Sequence, residues 1–76
     1  MNKARRKAIE DIQSKLETLK TAAEVLRDEE QEYIDNMPES LQGSEKAAMA
    51  EEAVDDLTEA IDSLEEAISS LSEASG

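Results

Sequence analysis

The sequence predicts an all-α fold: an antiparallel two-helix hairpin of coiled-coil type that assembles into a four-helix bundle or larger homo-oligomer. Three observations predict it. Two long segments carry apolar residues at alternating steps of three and four. One short stretch holding Pro38 and Gly43 separates them. A third apolar line, of alanines, runs beside the main stripe of the second segment. The 76 residues form one domain, with a helix over about 3–34, a loop over about 35–43 and a helix over about 44–73.

The first helix has its seam at Ile9, Ile12, Leu16, Leu19, Ala23 and Leu26, then Glu30 and Tyr33. Its segment is rich in Ala, Leu, Glu, Lys and Arg and free of internal Gly or Pro, so propensity agrees with pattern. The break follows at DNMPESLQG, because proline disfavours helical geometry in the residue before it. Within this loop, Asn36 and Glu39 have capping-box spacing around a short helical turn. Met37 and Leu41 are then expected to close the bundle end beside Tyr33.

The second helix begins after Ser44, an N-cap residue type, with Glu45 favourable in its first turn. Its seam is Ala47, Ala50, Val54, Leu57, Ile61, Leu64, Ile68 and Leu71. From Ala53 the chain repeats every seven residues: AVDDLTE, AIDSLEE, AISSLSE. One fold-back offset pairs every layer: Leu26 with Val54, Ala23 with Leu57, Leu19 with Ile61, Leu16 with Leu64, Ile12 with Ile68 and Ile9 with Leu71. A short connection favours antiparallel neighbours. Charge agrees, since the first twenty residues are net basic and the second helix is strongly acidic.

Self-association rests on size and on the third line. A chain this short has no cysteine for a disulfide and buries little surface alone. Ala53, Ala60, Ala67 and Ala74 on the second helix, with Ala8 and Ala22 on the first, widen the apolar face beyond what two helices need. Val25 and Met49 lie off the seam and extend the same contact.

The absence of His and Cys excludes imidazole acid–base catalysis, thiol chemistry and zinc-finger ligation. The carboxylate pairs Asp55/Glu59, Glu52/Asp56 and Asp62/Glu66 suit a solvated face rather than a metal site, and no EF-hand loop occurs. The expectation is therefore a non-enzyme without cofactor or metal. A net charge of −12 disfavours direct nucleic-acid or anionic-membrane binding. No apolar run matches a signal peptide or membrane span, so a soluble protein is expected, and the lack of cysteine fits a cytoplasmic one.

Two groups of residues carry candidate binding chemistry. Arg5, Arg6 and Lys7 place cations at a helix N-terminus against the macrodipole. They either pair with Glu66 and Glu73 of the returning helix or serve a small anionic ligand. Tyr33, the sole aromatic, with Asn36, Ser40 and Gln42 forms a polar loop end suited to a ligand or partner.

The phrases MNKARRK, DNMPESLQGSE and EEAV..L.EAI.SLEEAI together resemble small acidic helical-hairpin proteins of bacteriophages and integrated mobile elements, most without assigned function. The resemblance spans nearly the whole chain, and its specific part is the loop phrase. It implies an oligomeric accessory protein, a counter-defence factor that sequesters a small nucleotide-type signal. Two alternatives stand beside it. One is an acidic inhibitor that occupies the nucleic-acid-binding surface of a basic host protein; the other is a purely structural oligomerisation module.

Overall fold

The computed structural model describes residues 1–76. Two α-helices, α1 (Lys3–Asp35) and α2 (Glu45–Ser75), fold back on each other through a loop holding one 3-10 turn, Glu39–Leu41. The result is a rod of 59 × 14 × 12 Å. No helix is long and apolar enough to cross a membrane.

Both helix starts are capped by side chains. Asn2 Oδ1 accepts from the Arg5 N–H at 2.8 Å, and Ser44 Oγ accepts from the Ala47 N–H at 3.3 Å. Each satisfies a donor that the helix itself leaves open. The Ser44 cap matches expectation; the Asn2 cap adds to it. At the other end of α1, Asn36 serves as the C-cap, with its backbone N–H bonded to the carbonyl of Glu32. The capping box expected between Asn36 and Glu39 does not form, because Pro38 takes the cap position of the short turn. The loop is held instead by Gln42, whose side-chain amide donates to the carbonyls of Ile34 (3.3 Å) and Met37 (3.0 Å).

Burial is concentrated at this loop end. Ile34, Met37, Ala47 and Ala50 are four of the five buried residues, and Ile61 is the fifth. The α2 stripe turns inward as expected: Val54, Leu57, Leu64, Ile68 and Leu71 are half-buried around Ile61. Gln13 Nε2 donates to the Ile68 carbonyl at 3.3 Å, one residue from the predicted Ile12–Ile68 layer, so the fold-back offset is close to that expected.

The α1 stripe departs from expectation. Ile9, Leu16, Ala23 and Glu30 face α2, but Ile12, Leu19, Leu26 and Tyr33 stay about half exposed, at 46, 57, 56 and 45%. The inward places beside Ile9, Leu16, Ala23 and Glu30 belong to Gln13, Lys20, Arg27 and Ile34. The helix is rolled by roughly 50° from the predicted seam, about half a residue step. Ile34 accounts for the roll. It fills the loop end in place of Tyr33, since an aliphatic side chain has no hydroxyl to keep in water. A helix turns as a rod, so seating residue 34 carries 27, 20 and 13 inward and 33, 26, 19 and 12 outward.

Candidate functional site

The roll divides the hairpin into two unlike flanks. One is polar and marked by Lys20, whose Nζ reaches Glu65 Oε1 at 3.1 Å. Only 18% of the Lys20 side chain is exposed, because its stem lies along the seam while the ammonium emerges into water. Its hydrogen bond to Glu65 raises the amine above its ordinary value, with Glu65, Glu17 and Glu24 adding attraction and desolvation working against them. An open groove of about 1100 Å³ runs along this flank, lined by Glu17, Asp62, Glu65, Glu66 and Glu73 with Lys20 as its one cation. Such a groove repels anions. The carboxylates of α2 spread along the helix, and no three converge where a metal ion could sit.

The opposite flank is apolar. Ile12, Leu19, Leu26 and Tyr33 form one line at seven-residue steps; the adjacent line alternates Met1, Ala8 and Ala22 with Lys15 and Glu29, and Val25 adjoins it. Because Lys20 meets Glu65 on the polar side, the α2 line on the other side of the Ile61–Ile68 seam belongs to the same apolar face. That line holds Ala53, half-buried, with Ala60, Ala67 and Ala74, all exposed, and Met49 lies beside it. Every exposed large apolar residue of the chain lies on this flank or in the loop that continues it.

At the loop end this face runs into a recess of about 430 Å³ lined by Tyr33, Asn36, Met37, Pro38, Leu41, Ser44 and Lys46. Tyr33 is 45% exposed and lines the recess. The Asn36 side-chain amide makes no hydrogen bond within the chain, whereas the Ser44 hydroxyl is engaged, donating to the Leu41 carbonyl at 2.6 Å. No family model, curated protein or solved structure matches this chain.

The residues singled out in the sequence fall into three groups. Tyr33 and Asn36 meet at the recess, joined by Lys46, which sequence reasoning missed. Its signal was modest: a lone cation two residues after the second N-cap, in an acidic setting. Gln42 instead turns inward to hold the loop, and Ser40 is exposed outside the recess. Arg5, Arg6 and Lys7 lie at the opposite end of the rod and cannot reach that recess within one chain. Their expected partners Glu66 and Glu73 do not engage them; the only ion pairs are Lys20–Glu65 and Arg27–Asp28. The basic end is left with its charges facing water.

Proposed function

We propose that this protein acts without catalysis, as a homo-oligomeric binding module that captures a small nucleotide-type anion. A phage or mobile-element accessory factor countering host defence by sequestering a signal has this requirement. The recess at the loop end carries the reading. Its volume of about 430 Å³ lies within the usual span for small-molecule sites, roughly 300–1,000 Å³. It joins an exposed tyrosine, a free amide and a cation, which are the groups that stack a base, read its edge and meet a phosphate.

Calorimetry against mono-, di- and cyclic nucleotides tests the reading. Micromolar binding that is lost in Tyr33→Ala and Lys46→Ala is the expected result. Heat absent across the whole panel at high micromolar protein overturns it.

A second reading draws on a separate observation. The outer carboxylates of α2 form no ion pair except at Glu65, leaving an acidic rod surface able to cover a basic protein. Such a complex would weaken steeply with salt. Pull-down from a host lysate at low and high salt separates the two, because nucleotide capture needs no protein partner.

A further inference from the structure

We propose that two copies of the hairpin pack head to tail through the apolar flank, so that the partner's Arg5 stands over the Tyr33 recess and completes it. The proposal rests on the nucleotide-capture reading for its ligand, but its geometry stands on three observations of its own.

The first is area. The chain exposes 5602 Å², whereas a compact monomer of 8.3 kDa exposes about 4,600 Å². The excess, roughly 1,000 Å², is comparable to the ~800 Å² that each partner covers in a standard stable interface. The elongated shape, 59 × 14 × 12 Å, raises this area, and the apolar flank is part of what it exposes, with Ile12, Leu19, Val25, Leu26, Tyr33 and Met49 all 45–64% exposed.

The second is the symmetry of the stripe. Arg5, Ile12, Leu19, Leu26 and Tyr33 follow one another at seven-residue steps, with Leu19 at the centre. Turning one α1 end for end over another lays Leu19 on its own copy, Ile12 on Leu26, and Arg5 on Tyr33. A two-fold interface requires this self-complementarity. The same operation lays the α2 alanine line on its counterpart, where small side chains permit close approach.

The third is charge. The start of α1 carries Lys3, Arg5, Arg6 and Lys7; its end carries Asp28, Glu29, Glu30, Glu32 and Asp35. Head-to-tail packing sets the basic end of each copy against the acidic end of the other. The alternative two-fold arrangement, with both loops at one end, crosses α1 onto the partner's α2 and sets the acidic end of α1 beside Glu45, Glu51 and Glu52.

The recess shows why the partner matters. Within one chain Lys46 is its only cation, and Asp35, Glu39 and Glu45 are close in sequence to its lining residues. A phosphate there would meet net negative surroundings. Arg5 from a second copy supplies a fork of N–H donors suited to phosphate and a cation over the Tyr33 ring. The ligand class is thus an anion carrying a flat ring, held at two equivalent sites per dimer.

The test uses the natural absence of cysteine. Leu19→Cys is expected to give a disulfide-linked dimer on mild oxidation, while Thr21→Cys on the outer face stays largely unlinked. Sedimentation at micromolar concentration should show a dimer. Arg5→Ala should retain that dimer and lose at least tenfold in affinity for a nucleotide that binds the unaltered chain. A monodisperse monomer overturns the proposal. So does a dimer in which the Leu19→Cys variant cross-links to an Ala60→Cys variant but not to its own copy. A head-to-tail dimer that binds no nucleotide overturns the capture reading and leaves the packing intact; nucleotide binding by a monomer does the reverse.

Discussion

The two helices of the hairpin have nearly equal length and similar apolar periodicity, yet they use it differently. In α2 the apolar stripe and the buried stripe are the same residues, centred on Ile61. In α1 they diverge, and a line of leucine, isoleucine and tyrosine is left half in water while glutamine, lysine and arginine face the neighbour. The difference shows that a periodic stripe identifies an apolar face without naming the neighbour that covers it. On the proposed dimer α1 has two neighbours and divides its apolar residues between them, with Ile34 as the local anchor that sets the division.

Core substitutions should separate the two helices most strongly. Ile61→Ala empties a site that is 4% exposed and should lower stability by about 2–5 kcal/mol in chemical denaturation. Leu19→Ala, on the half-exposed line, should cost only about 1 kcal/mol in dilute protein. On the proposed dimer its penalty should grow with protein concentration, since association through this line would stabilise the unaltered chain by mass action. Equal, concentration-independent losses would erase the distinction between the helices.

A finer comparison uses adjacent residues of α1. Ile34→Ala removes the side chain that sets the roll and should cost about 2–4 kcal/mol, against less than about 1 kcal/mol for Tyr33→Ala. Thermal unfolding of the two variants side by side reads the difference. A larger loss at Tyr33 would mean that the helix is not anchored by Ile34.

The smallest effect concerns the polar flank. Lys20 is raised above its ordinary value of 10.5 by its hydrogen bond to Glu65. The pair's contribution is therefore fully present below that value and fades as pH rises through the raised one. Alkaline titration of stability should show a slight decline above pH 10.5 that Glu65→Gln lacks. The ammonium is solvated, so the decline is modest.

The hairpin, its loop and the Ser44 cap were legible in the sequence because each follows from local rules: seven-residue spacing, a proline break and a hydroxyl before a helix. The fold-back offset was legible to within about a residue, but the layers were not: Leu26, Leu19 and Ile12 lie half exposed instead of buried against Val54, Ile61 and Ile68. Nor was the roll of α1. Tyr33 and Ile34 are neighbours of comparable apolar character, and choosing between them required knowing how Met37 and Gln42 close the loop. The candidate site was legible in part. Tyr33 and Asn36 stand out as a loop-end cluster, but Lys46 sits across the chain reversal, and Gln42 offers no sign that its amide serves the loop itself. The basic residues read first as ion-pair donors to Glu66 and Glu73 and only second as a site; no such pair forms, and distance along the rod decides against their joining the recess within one subunit.

The gathering of buried residues at the loop has a kinetic consequence. Contacts near the chain reversal close small loops and cost little entropy, while those joining the free ends span most of the sequence. Folding should then proceed as a zipper from Ile34, Met37 and Ala47 outward, with the arginine-bearing tip the last to dock and the first to fray. Amide exchange should follow the same gradient, slow beside the reversal and fast at the tips.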